Sequence, residues 1–141
     1  MPCSRTRLPE RFADWLAVKI PEIDVRRITL CYCDRLPFEW VLAGSMRPSG
    51  ITLWRSIYLR DRLRPFDPCD RRKVELLMHE LIHVRQFHAH PLWFPLTYLR
   101  DLAMLGYQNN PAEIEARAHG SALAQDYARE NPYRCSRLSR P

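Results

Sequence analysis

His79-Glu80-Leu81-Ile82-His83 sets two imidazoles four residues apart with a carboxylate beside the first. On an α-helix, positions i and i+4 stack on one face, so both rings can grip one zinc ion. Glu80 points about 100° round the helix and can reach a water on that ion without being a ligand itself. A carboxylate so placed can take a proton from the water as general base. The neighbours fit a buried setting, since Val74, Leu77, Met78, Leu81 and Ile82 are all apolar. Polar side chains on a mostly buried helix cost free energy unless something satisfies them, and a cation would do so.

A catalytic zinc takes three protein ligands and keeps a position open for water. A third histidine further along the same helix is not available. Gln86 and Ala89 stand where a metzincin pattern needs glycine and histidine, with His88 and His90 flanking the required place. His90, roughly 10 Å further along the helix than His83, suits a helix end. Gln86 falls nearly in line with His79 and His83, where it can line a cleft or bond a group that supports a ligand. The next donors lie in Asn110-Pro111-Ala112-Glu113-Ile114-Glu115-Ala116-Arg117, which opens a second helix 30 residues after His83. Glu113 and Glu115 point about 200° apart on that helix, so the two can hardly share a metal. Glu113 also sits where a capping carboxylate would, three residues after Asn110. His119 is a further alternative.

With these residues set out, the segment 70–119 resembles the gluzincin metallopeptidases, which pair H-E-x-x-H with a glutamate from a later helix. Glu113 matches the leading glutamate of that later segment, and Arg117 stands where the family has an aspartate. The phrase from His79 to Gln86 is also similar to core metallopeptidase domains linked to contractile injection systems. The resemblance implies a small zincin-like domain with one Zn2+ held by His79, His83 and Glu113, Glu115 being the reserve ligand. It implies zinc-dependent hydrolysis of a peptide bond in a peptide or protein substrate, as an endopeptidase rather than an exopeptidase, with Glu80 activating the metal-bound water. A donor for the developing oxyanion is also needed, and Tyr107 is the first choice, ahead of His119 and Arg117. In zincins a sheet edge pairs with an extended substrate; Ile51 to Leu59 is the candidate, with Trp54 and Tyr58 flanking the cleft. So short a chain leaves a shallow cleft, or one completed by a partner protein. Two other classes stay open: a non-catalytic zinc-binding regulatory module, and a DNA-associated protease-like protein.

The elements that must position these groups can be read from patterning. Pro9 and Glu10 start a helix reaching about Ile20, with Leu8, Phe12, Trp15 and Leu16 at helical spacing. Val25 to Cys33 and Phe38 to Met46 read as strands, Pro48-Ser49-Gly50 as a turn, and Ile51 to Leu59 as a further strand. Within that strand, alternation puts Ile51, Leu53, Ile57 and Leu59 on one face. Asp61 to Pro68 is a loop. Asp70 caps a long helix to about Ala89, Pro91 to Leu105 form another with Gly106 just past its end, and Asn110-Pro111 start a third through about Arg129. The order predicts an α+β fold: an N-terminal helix and a short, mostly antiparallel sheet, then the helix bearing the histidines and two more helices.

The chain of 141 residues is bounded to one domain, 1–130, with a flexible basic tail at 131–141. Its 46% hydrophobic and 27% charged residues exclude a mainly disordered chain. No apolar run approaches the ~20 residues of a membrane span, and the start lacks a secretion signal, so a cytoplasmic protein is expected. The net charge of +6 permits anionic partners. Yet the basic residues are spread along the chain rather than blocked together, which argues against nucleic acid as the partner. Cys3, Cys31, Cys33, Cys69 and Cys135 form no C-x-x-C pair. Cys31 and Cys33 are too close along a strand to bridge, so buried reduced thiols are expected.

Overall fold

β-branched and aromatic residues crowd between Thr29 and Arg60, and three of the four strands of the sheet form there. The computed structural model describes residues 3–42 and 48–132. The fold is α+β: a four-stranded mixed sheet, four long α-helices, one single-turn α-helix and two short 3-10 turns among the described residues. In chain order the strands and α-helices are β1 (Ser4–Arg7), α1 (Glu10–Lys19), β2 (Thr29–Cys33), α2 (Glu39–Leu42), β3 (Gly50–Leu53), β4 (Ser56–Arg60), α3 (Arg71–Ala89), α4 (Trp93–Asn109) and α5 (Pro111–Glu130). The sheet order is β1-β2-β4-β3, with β1/β2 and β3/β4 antiparallel and β2/β4 parallel. No helix among the described residues is long and apolar enough to cross a membrane.

The helices follow the sequence signals closely. Asp70 accepts hydrogen bonds from the Arg72 and Lys73 amides and so caps α3. The Asn110 side chain accepts from the Ala112 amide at the start of α5, with Pro111 in the first turn. Gly106, at φ 76°, breaks the regular part of α4 where the sequence places its end, and one further turn carries Tyr107. The core forms where α1 (Phe12, Leu16), β2 (Ile28 beside it, and Leu30), β4 (Ile57, Leu59), α3 (Leu77, Met78, Leu81) and α5 (Ala124, Tyr127) meet.

The sheet corrects the sequence reading in four places. Ile51 to Leu59 is not one strand but a hairpin, β3 and β4, joined by the two-residue turn Trp54-Arg55. A two-residue turn pairs Leu53 with Ser56 and Thr52 with Ile57, and so reverses the parity of the alternation. Gly50, Thr52, Ile57 and Leu59 therefore share one face, and Ile51, Leu53, Ser56 and Tyr58 the other. Phe38 to Met46 begins as the helical turn α2 rather than a strand, with the Glu39 side chain accepting from the Leu36 amide; residues 43–47 lie outside the described residues. β1, unforeseen, pairs with β2 and is anchored by Arg7 Nη1, which donates to the Arg27 carbonyl at 2.8 Å.

The cysteines are the fourth correction. The Ser4–Tyr32 register brings Cys3 beside Cys33, and these two form a disulfide. Cys69 is also disulfide-bonded, while Cys31 is free and buried. Spacing along the chain alone could not show a pairing that depends on two strands meeting. The proposed tail falls mostly beyond residue 132, outside the described residues.

Candidate metal centre

α3 and α5 bring three donors to one point. His79 and His83 lie one turn apart on α3, and Glu113 reaches them from the first turn of α5. The two Nε2 atoms are 3.2 Å apart. Glu113 Oε2 lies 3.0 Å from His79 Nε2, and its Oε1 3.2 Å from His83 Nε2. The Glu113 side chain is only 3% exposed. Its Oε2 is buried and, by geometry, makes no hydrogen bond. A buried carboxylate oxygen without a donor is costly, and a cation among these three side chains would remove that cost. Around a zinc ion with bonds of about 2.0–2.1 Å, tetrahedral ligand atoms stand about 3.3 Å apart, close to the separations found here. His79, His83 and Glu113 could thus hold a divalent metal ion.

The support around His83 fixes which nitrogen faces the centre. Gln86 Nε2 donates to the Ala112 carbonyl at 3.1 Å and to Glu115 Oε2 at 2.8 Å. Two acceptors on that nitrogen orient the amide, so its oxygen, 2.7 Å from His83 Nδ1, accepts from the ring. In the neutral ring the proton is therefore on Nδ1, which leaves the Nε2 lone pair for the centre. Burial opposes a charge on His83, but the hydrogen bond its ring can donate to Glu113 and the charge of Glu80 outweigh it, and the pKa is raised. Glu115, the reserve ligand, is turned away to Gln86 and to Arg85, 3.2 Å distant. His119 is exposed and bonds Arg85 through Nδ1, and His88 and His90 are exposed at the end of α3, so none of these three joins the centre.

Glu113 is held from α4 as well. The Tyr98 hydroxyl donates to its Oε1 at 2.7 Å. Tyr107, placed in the cleft beside it, also engages the carboxylate through its hydroxyl. Burial, and then the negative charge of Glu113, push both phenols far above their ordinary range, so they remain donors. Burial works against an ionised Glu113, yet the two imidazoles and Tyr98 overcome it and hold its carboxyl well below the usual range. Asn110, fully buried, donates to the Tyr98 carbonyl at 3.2 Å and so ties the two helices at this point. Arg117, where the resembled family has an aspartate, donates to the Gln108 carbonyl.

Glu80 sits apart from the three donors, buried against β3. The Thr52 hydroxyl donates to its Oε2 at 2.7 Å, with the Glu80 main-chain oxygen 3.1 Å away. A Cβ on Gly50 would stand 2.9 Å from Glu80 Oε1, so a residue without a side chain leaves the carboxylate its place. Gly120 does the same between helices: a Cβ there would meet the His79 main-chain nitrogen at 2.8 Å. This close approach sets the α5 backbone, and with it Glu113, against the turn of α3 that carries His79.

His79, Glu80, His83 and Glu113 line a cleft of about 360 Å³, whose walls are mostly aromatic and aliphatic. Trp54 lines it as expected, but Tyr58 does not. Thr52, Gly50, Gln86, Tyr98 and Gly120 were not singled out for these roles from sequence, save Gln86 as a possible partner to a ligand-supporting group. Only the pairing of elements reveals the others. Comparison with protein-family models, with curated proteins and with solved structures returned no match.

Proposed function

We propose that the chain is a zinc-dependent peptidase of the H-E-x-x-H kind. The observation that carries this reading is the convergence of His79, His83 and Glu113 beside a buried carboxylate, Glu80, that is not one of the three. A module using metal only for structure has no need of that fourth group. Two imidazoles and one carboxylate suit zinc among the divalent ions. Zinc, when bound, lowers the pKa of a coordinated water and polarises the carbonyl under attack.

Glu80 accepts the water's proton and delivers it to the leaving amine. Thr52 keeps the Glu80 carboxylate turned towards the cleft by occupying Oε2, which leaves Oε1 to carry the proton. Gln86 holds His83 in the tautomer that offers Nε2. Tyr98 and Tyr107 steady Glu113. Stabilisation of the oxyanion by Tyr107 would need its hydroxyl to leave that carboxylate, so holding the ligand is its first role. β3, at the edge of the sheet, offers its main chain to an extended substrate. The disulfides weigh against a reducing cytosol as the working compartment.

Metal analysis of the wild type beside Glu113→Ala and Glu115→Ala tests the centre. One zinc per chain is expected in the wild type and in Glu115→Ala, with strong loss in Glu113→Ala. Glu80→Gln should keep the metal and lose turnover of an unfolded protein substrate by roughly 10²–10⁴-fold. Equal cleavage by Glu80→Gln and the parent would remove the general base from the scheme.

A further inference from the structure

Among the described residues only two that are not glycine have a left-handed backbone, Phe38 at φ 57° and Trp54 at φ 53°. Bulky side chains rarely adopt this conformation, and where they do the strain clusters at functional sites. Both residues are aromatic, both are more than half exposed (57% and 53%), and both line the cleft of the metal centre. Trp54 takes the first position of a two-residue hairpin turn, where glycine, asparagine or aspartate normally supplies the positive φ. Its ring is nevertheless well placed, with its centroid 5.2 Å from that of Phe87, which is in turn 4.7 Å from Phe94. Phe38 is fixed by its neighbours: Glu39 pairs with Arg60, and Arg60 Nε donates to the Pro48 carbonyl at 3.0 Å.

We infer that Phe38 and Trp54 form an aromatic clamp at the mouth of the cleft, selecting a polypeptide segment with a bulky apolar side chain next to the bond to be cut. This inference rests on the peptidase reading above. Away from His79, Glu80, His83 and Glu113 the walls offer no charged group, so a charged side chain would lose its hydration without a partner. A cleft of about 360 Å³ has room for an aromatic or long aliphatic side chain. Such side chains are mostly buried in folded proteins, so the substrate class is an unfolded or extended apolar segment.

The test uses zinc-loaded Glu80→Gln protein and short fluorescein-labelled peptides that differ only in a central Phe, Leu, Ala or Asp, read by fluorescence anisotropy. The Phe and Leu peptides should bind about tenfold or more tightly than the Ala peptide, with Asp weakest. Trp54→Gly and Trp54→Asn, which suit the turn, should bring the Phe peptide down to the Ala level. Both should keep one zinc per chain and a melting temperature within about 5 °C of the parent. Phe38→Gly should act in the same direction. Equal binding of all four peptides would overturn the clamp, and so would an unchanged Phe preference in both Trp54 variants. Loss of zinc with a large drop in melting temperature in both would overturn it too, by making the ring a structural prop. If the Glu80-intact protein cleaves none of these peptides while the Phe preference persists in binding, the peptidase reading fails and the clamp stands. If it cleaves all four equally, the clamp fails and the peptidase reading stands.

Discussion

α4 and α5 follow α3 in succession and both border the cleft, yet they are built differently. α5 buries Glu113, Ala116, Gly120, Ala124 and Tyr127, spaced three or four apart along one face. Small residues on that face let its backbone meet α3, and Gly120 brings it against His79. α4 buries no residue, and leaves Trp93, Leu96 and Met104 more than 60% exposed. Its inward side supplies Phe94 and Tyr98 to the cleft. One helix is locked in place to hold the Glu113 carboxylate against the two imidazoles, and the other is a lightly held apolar wall. Elements with few buried contacts open at low free energy. The contrast therefore separates a rigid centre from an adjustable wall on two neighbouring helices.

The harshest way to break the contrast is Gly120→Ala. The added methyl would lie 2.8 Å from a main-chain nitrogen and 2.9 Å from a Cα on α3, where no flexible side chain can yield. Overpacking of this kind costs about 1–3 kcal/mol, or more when backbone must shift. The expected outcome is a melting temperature lower by roughly 3–10 °C together with weakened zinc binding, measured by thermal scans and metal titration. A variant as stable and as tight for zinc as the parent would show that α5 is not locked.

Gln86→Leu asks how far the centre depends on support beyond its three donors. It removes the acceptor on His83 Nδ1 and frees the Glu115 and Ala112 contacts. Loss of such an orienting partner typically lowers metal affinity 10–100-fold, equal to about 1.4–2.7 kcal/mol. Competition with a chromophoric chelator reads this directly. Unchanged affinity would mean that packing alone orients the ring.

How much of this centre the sequence disclosed follows from how local each feature is. His79, Glu80 and His83 lie within five residues of one helix, so their relative placement is a matter of helical period. Asp70 and Asn110-Pro111 marked where α3 and α5 begin for the same local reason. Choosing Glu113 over Glu115 came from the family resemblance, and the fold agrees because Glu115 is drawn off by Gln86 and Arg85. Gly120, Thr52 and Gly50 have meaning only against a second element, so no spacing announces them. The hairpin at Trp54-Arg55 gives no turn signal in the sequence because bulky Trp54 occupies a position where that signal would be glycine. The Cys3–Cys33 bond depends on β1, a four-residue strand with only polar side chains and no alternating apolar pattern to betray it.

Acidity gives the next test. The pKa of His83 is raised, because Glu113 and Glu80 together outweigh burial, so in the metal-free protein a proton competes for this ring more strongly than for a free imidazole. Metal binding needs the neutral imidazole and releases that proton. Below the folded pKa, affinity should fall up to about tenfold per pH unit, or roughly 1.4 kcal/mol. The metal-free protein has the opposite sign, since a group with raised pKa contributes stability at low pH that is lost as pH rises through the folded value. The gap in melting temperature between zinc-loaded and metal-free protein should therefore widen from pH 6 to pH 8. A constant gap would mean that His83 carries no competing proton.

The mildest perturbation falls on α4. Leu96→Ser and Met104→Ser change α4 side chains that are 61% and 75% exposed and do not line the cleft. Exposed substitutions away from caps and buried groups usually stay within about 0.5 kcal/mol, although serine lowers helix propensity slightly. Zinc affinity should not change, because the carboxylate is anchored on α5. Hydrogen exchange supplies the sharper readout: amides of α4 between Trp93 and Leu105 should exchange well before those of α5 between Ala116 and Tyr127, and the serine variants should speed only the former. If α4 instead proved as protected as α5, or if either serine variant weakened zinc, the apolar wall would be coupled to the centre, and the division between a locked and an adjustable helix would no longer hold.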